Sequence, residues 1–121
     1  MLADNEIYIN AEITSTSLGY EDHGLLTFML MLSFGGTGQG FGGYCMDGPW
    51  SERDKRRMDS KVAGFCIRRI LNVVGVSNWE DLPHKFIRVI KTDKYGDILG
   101  IANLLKDGLE FRPKEELRQF D

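Results

Sequence analysis

Cysteine, proline and histidine are all scarce in this chain of 121 residues, and each scarcity excludes something. The two cysteines, Cys45 and Cys66, fall in different predicted elements and lack metal-ligand spacing. They are expected as reduced, largely buried thiols of a cytoplasmic protein. The two histidines, His23 and His84, are far apart with no third ligand type nearby, which argues against a metal site. Only three prolines, with 42% hydrophobic and 27% charged residues, speak for a folded chain with disorder confined to its ends. Positive charge is in deficit. A net charge of -3 argues against a general affinity for nucleic acid, which needs a basic surface to displace counterions. The longest apolar stretch, Leu25 to Phe34, is about half of what a bilayer span requires. The start, Met1 to Glu6, has no basic segment and no long apolar run, so it does not read as a secretory signal. There is no internal repeat and no low-complexity tract.

Glycine is what the chain has in abundance. Six of its fourteen glycines fall between Gly35 and Gly43, in the run Gly35-Gly36-Thr37-Gly38-Gln39-Gly40-Phe41-Gly42-Gly43. Without Cβ atoms another group can approach the peptide closely, so the backbone itself becomes a candidate contact surface. Phe41, Tyr44 and Trp50 add flat apolar faces suited to stacking on rings. The run lacks the lysine and Ser/Thr of a phosphate loop, and it does not open into a helix as a dinucleotide fold requires. The alternative is a bent, side-chain-poor strand that lets a helix or a second subunit pack closely.

Periodicity supplies the rest of the fold. Ile7, Ile9, Ala11 and Ile13 alternate with polar residues and predict a strand with one buried face. Ser17 to Gly24 predicts a turn, and Leu25 to Phe34, apolar on both faces, a central strand covered on both sides or by a partner chain. Gln39 to Met46 predicts a third strand, and Asp47 to Asp59 a polar loop. Asp59 or Ser60 caps a helix from Lys61 to about Val74, with Val62, Ala63, Cys66, Ile67, Ile70, Val73 and Val74 on one face and Gly75 at its end. Trp79 to Leu82 predicts a short helical turn. Phe86 to Lys91 and Ile98 to Asn103 form a second hairpin, and Pro113 starts a final turn. The sum is a single α+β domain over residues 1–121, with about five antiparallel strands (an N-terminal meander plus a C-terminal hairpin) and one main helix.

The catalytic signatures are missing. No nucleophile elbow, no carboxylate pair at catalytic spacing and no Cys–His arrangement can be read. Glu21-Asp22-His23 cannot converge on one substrate atom, and acidic residues before glycine belong to hairpin turns. Binding is the better expectation. Arg57 belongs to a basic cluster, Arg53 to Arg57, for which solvation is the ordinary role. Arg69 sits at the edge of the helix's apolar face, where an arginine either reaches out to water or makes a planar contact with a phosphate or carboxylate. Phe111, Arg112 and Arg118 place an aromatic ring beside guanidinium groups, which suits a purine and a diphosphate or simply a packed tail. The candidate ligand contacts are therefore Gly38, Gln39, Phe41, Gly42, Trp50, Arg57, Arg69, Phe111, Arg112 and Arg118, with no metal and no cofactor.

Four segments in order, Leu18-Gly19-Tyr20-Glu21-Asp22-His23-Gly24, Gly38-Gln39-Gly40-Phe41-Gly42-Gly43-Tyr44, Ile67-Arg68-Arg69-Ile70-Leu71 and Trp79-Glu80-Asp81-Leu82, resemble the anti-Thoeris (Thoeris anti-defence) sponge family of phage and prophage proteins. That resemblance, over about Ile7 to Leu117, implies a non-enzymatic protein in the cytoplasm of an infected bacterium. Such a protein captures, intact, the cyclic ADP-ribose isomer made by a TIR-domain immune enzyme. It also implies a homo-oligomer, a dimer or hexamer, with ligand pockets where subunits meet. Some members take cyclic trinucleotides in separate pockets. Duplex nucleic acid and membranes are not expected partners. Two rival expectations are an enzyme that cleaves such a signal and a phage accessory protein that inhibits a host protein by direct binding.

Overall fold

The computed structural model describes residues 2–93 and 95–121; the side chains of Glu21 and Asp22, expected above in a turn, lie outside what it describes. The fold is α+β. Strands β1 (Ile7–Asp22), β2 (Leu25–Phe34), β3 (Thr37–Gly42), β6 (Phe86–Lys91), β7 (Gly100–Ala102) and β8 (Glu110–Phe111) form one antiparallel sheet in the order β3-β2-β1-β6-β7-β8. A two-stranded ribbon, β4 (Trp50–Ser51) with β5 (Arg56–Arg57), stands apart from it. Helix α1 (Lys61–Val74) packs on one face of the sheet, and a short helix, α2 (Pro113–Glu116), follows β8.

The centre of the sheet is one long strand shared by two partners. The first part of β1, Ile7 to Glu12, pairs with β6, and the rest, from Glu12 onward, pairs with β2. The turn predicted over Ser17 to Gly24 is therefore mostly strand. Only His23 and Gly24, with φ of 52° and 77°, make the reversal. The physical reason is a bulge between Ile13 and Ser15. One extra residue exchanges the two faces, so buried Ala11 and Ile13 are continued on the helix side by Thr16 and Leu18, not by Ser15 and Ser17. Thr16 accepts a hydrogen bond from Trp79 Nε1 at 3.1 Å, which places it on that side.

Strand β2 is not covered on both faces. Phe28, Leu30, Leu32 and Phe34 are buried in the core on the helix side of the sheet, whereas Met31 is 41% exposed on the other face. Its apolar outer side is explained by the glycines next door: a Cβ at Gly40 would lie 2.9 Å from Met29 Sδ, so the methionines rest on a strand with no side chains there. The third strand is Thr37–Gly42, not Gln39 to Met46. It closes on β2 through Gly35 and Gly36, both at positive φ, and ends where Gly42 (φ 145°) and Gly43 (φ 77°) turn the chain away. Beyond that bend Cys45 is exposed, which corrects the expected burial; Cys66 is buried as expected.

Local signals place α1 as predicted. Ser60 is the cap, its Oγ accepting the Val62 N–H at 3.0 Å, and Gly75 (φ 89°) ends the helix by donating to the Leu71 carbonyl at 2.8 Å. Cys66, Ile70 and Val73 are buried against Ala11, Ile13, Ile87, Val89 and Ile101 of the sheet. Each large side chain in this layer contributes about 1.5–3 kcal/mol by leaving water. The second hairpin is shorter than predicted on its return, Gly100–Ala102, and β8 is an added edge strand.

Candidate functional site

The residues predicted to touch a ligand do not converge on one place. Phe41 and Phe111 are fully buried, with ring centroids 6.3 Å apart, inside a cluster that includes Phe28, Tyr44 and Phe65. Their faces are occupied by protein. Gly42 is a backbone requirement, since a Cβ there would collide with the Phe28 carbonyl. Arg69 makes the planar carboxylate contact foreseen as one alternative, Nε to Glu116 Oε1 at 2.9 Å, with a further bond to the Glu110 carbonyl. Arg118 is exposed in the last turn of the chain.

Arg112 belongs to a buried network on the sheet face opposite α1. It holds Glu6 through two bonds of 2.9 Å and Glu110 through one of 3.1 Å. Tyr8 donates to Glu110 at 3.0 Å, and the Arg88 guanidinium lies 4.1 Å from the centroid of the Tyr8 ring. The hydrogen bonds from Arg112 push the Glu6 carboxyl down to about 2. Burial works against ionisation of Glu110, yet its hydrogen bonds, among them those from Arg112 and Tyr8, outweigh it and lower its pKa. Burial, and then the bond to Glu110, raise that of Tyr8. This arginine is committed to structure.

Trp50 and Arg57 do come together, directly opposite each other in the β4–β5 ribbon. With Arg56 they form one wall of a cleft of about 560 Å³. Its other walls are Tyr20 and Leu26 of the β1–β2 hairpin and Ser60 and Ala63 in the first turn of α1. Two local devices build it. The bulge in β1 turns the exposed end of the hairpin, with Tyr20, toward the helix side. Gly48 lets the ribbon's base close, its N–H bonding the Met58 carbonyl at 2.8 Å, where a Cβ would be only 2.7 Å from the carbonyls of Met58 and Asp59.

The electrostatics of this cleft are specific. Arg53 and Lys55, at the ribbon's tip, pair with Asp54 and Glu52. Arg56 and Arg57, in the cleft, have no carboxylate partner among the described residues. The first turn of α1 contains no acidic residue, so the helix adds its partial positive charge at the same place. Asp47 and Asp59 also line the cleft; Asp47 is engaged, its carboxylate accepting the Leu26 N–H at 2.8 Å. Trp50 is half exposed and Tyr20 is 72% exposed, which leaves two aromatic surfaces open to a ring.

Sequence reasoning missed Tyr20 because the parity change in β1 is not visible locally, and it read Arg56 only as part of a solvated cluster. Gly38 and Gln39 lie elsewhere, in a second, smaller cavity. Among the described residues, no three His, Cys, Asp or Glu side chains are grouped to hold a metal ion, and no helix is long and apolar enough to cross a membrane. No family model, curated protein or solved structure matches the chain.

Proposed function

We propose that this protein binds a nucleotide-like anion in the cleft between the β4–β5 ribbon and the start of α1 and withholds it without cleaving it. The observation that supports this is the pair Arg56 and Arg57, without carboxylate partners among the described residues, beside Trp50 and the first turn of α1. Guanidinium groups and helix N–H groups favour phosphate, and an open indole favours a base. Asp59 is a candidate acceptor for sugar hydroxyls. The volume lies within the range of small-ligand pockets. The resemblance described above names the ligand class as a cyclic ADP-ribose isomer of bacterial immunity. The protein then acts as a homo-oligomeric sponge in the cytoplasm of an infected cell.

Incubation with cyclic ADP-ribose isomers, followed by heating and chromatography of the supernatant, tests this directly. Intact ligand recovered only after denaturation supports capture. New products establish a cleaving enzyme instead. No uptake of any nucleotide, with a host protein co-purifying, favours direct inhibition of that protein. Arg57→Glu and Trp50→Ala are expected to weaken uptake about tenfold or more each, the ordinary cost of losing a charge-assisted contact or a stacking face.

A further inference from the structure

We propose that strand β3 is the surface through which two copies of this chain join, edge to edge, by antiparallel pairing of β3 with the same strand of a second copy. That pairing follows from backbone geometry, not from the nucleotide reading of the cleft, and it gives the homo-oligomer of that reading one contact. β3 is an end strand of the sheet, bonded to β2 on one side only. The parity of their pairing is fixed where the Gly43 N–H meets the Phe28 carbonyl at 2.8 Å. Counting back in steps of two, Phe41, Gln39 and Thr37 turn their backbone groups toward β2, opposite Leu30, Leu32 and Phe34. Gly38 and Gly40 turn theirs outward. Both glycines are exposed, and no hydrogen bond among the described residues meets their outward groups. A row of such groups is a template for another strand.

The devices that normally block an edge are absent here. β3 carries no proline and no charged side chain, and its register with β2 runs without a bulge from Thr37 to Gly42. At the opposite end of the sheet β8 is two residues long, its Glu110 is held by Arg112 and Tyr8, and α2 follows at once. The occupant is set by charge. No Asp, Glu, Lys or Arg occurs anywhere from Leu25 to Met46, in a chain that is 27% charged. Such an edge offers nothing to select a charged partner and nothing to repel an identical one. A two-fold axis sets a strand antiparallel to itself, so one contact satisfies Gly38 and Gly40 in both copies. The outer face fits the same occupant. Gly38 and Gly40 leave it without side chains, and Met31, 41% exposed, flanks them with Met29. These flexible thioethers can lie across the seam from both sides, which buries apolar surface that a single copy leaves in water.

Sedimentation and amide hydrogen exchange on nucleotide-free protein test this. At about 1 mM the wild-type chain is expected as a dimer or an even-numbered assembly, with the Gly38 and Gly40 amides exchanging about tenfold or more slowly than open loop amides. Gly38→Pro is expected to halve that mass. It deletes an N–H that β2 does not use, Thr37 before it is already extended, and a Cβ there meets only the Leu32 carbonyl oxygen at 3.5 Å. In that variant Gly40 is expected to exchange freely while Gln39 and Phe41 stay protected by β2. A wild-type monomer at that concentration leaves the edge to a strand of another protein and overturns the proposal. So does an assembly in which Gly38 and Gly40 exchange freely, or one that persists unchanged in Gly38→Pro. The wild-type exchange pattern decides the matter even if Gly38→Pro does not fold. Arg57→Glu is expected to keep the assembly while losing nucleotide uptake. Assembly without nucleotide uptake by the wild type refutes only the function proposed for the cleft.

Discussion

Arg112 grips Glu6 with two parallel hydrogen bonds of 2.9 Å, tying the start of the chain to its C-terminal segment. The side chains are only 13% and 9% exposed, and Glu110 lies on the other side of the same guanidinium. Removing Arg112 leaves two carboxylates together in a desolvated place. Arg112→Ala is expected to destabilise the protein by about 3 kcal/mol, measured by urea denaturation, because breaking a buried pair strands its partner. Glu6→Gln keeps the shape and removes one charge, so its cost is expected to be lower, about 1 kcal/mol. Equal stability of Arg112→Ala and wild type would refute the structural role assigned here.

The same pair predicts a pH dependence with a definite sign. The Glu6 carboxyl sits at about 2 in the folded protein against an ordinary 4.5, so folding favours the ionised form. The stability this confers is complete above about 4.5 and is lost as pH falls toward 2. Solvent reaching the edge of the pair limits this to about 1–2 kcal/mol. Denaturation midpoints between those two values are expected to fall for wild type and to fall less for Glu6→Gln.

Two glycines of the same strand are expected to behave oppositely. Gly42 has φ of 145° and no room for a Cβ beside the Phe28 backbone, so Gly42→Ala is expected to cost about 3 kcal/mol. A Cβ at Gly38 would meet only the Leu32 carbonyl oxygen, at an ordinary 3.5 Å. Gly38→Ala is expected to be neutral, or stabilising by up to about 1 kcal/mol through the unfolded chain. Thermal unfolding of the two variants checks both.

The thiols should differ sharply in reactivity. Cys45 is exposed, whereas Cys66 is buried and its thiol is pushed up to about 11, first by burial and then by the nearby Glu116 carboxylate. Iodoacetamide at about pH 8 is expected to label Cys45 in the folded protein and Cys66 only after unfolding. Mass spectrometry of the labelled peptides reads the outcome, and equal labelling of both in the folded state would contradict it.

What could be read directly in the chain is what depends on neighbours in sequence. Helix α1 was legible at both ends because Ser60 and Gly75 act within one turn of it. The reversals at Gly24 and at Gly35-Gly36 were marked by residues that tolerate positive φ. The α+β class followed from two kinds of periodicity. The partners of side chains were not legible. Arg69 and Arg112 looked like ligand contacts because their carboxylates, Glu116 and Glu6, arrive from distant parts of the chain. Phe41 and Phe111 looked like stacking faces until the sheet and helix closed over them.

The candidate site shows the same division. Sequence alone determined that Trp50 and a basic cluster stand just before a capped helix. Tertiary structure decided which basic residues face the cleft, since the ribbon pairs Arg57 with Trp50 while Arg53 and Lys55 find carboxylates at its tip. It also brought Tyr20 across from a different hairpin with the help of the bulge at Thr14, where one extra residue exchanges the faces of the strand residues next in line. Local conformation follows from local sterics and hydrogen bonding, which composition reveals. Which charges end up paired depends on distances that only the folded chain sets.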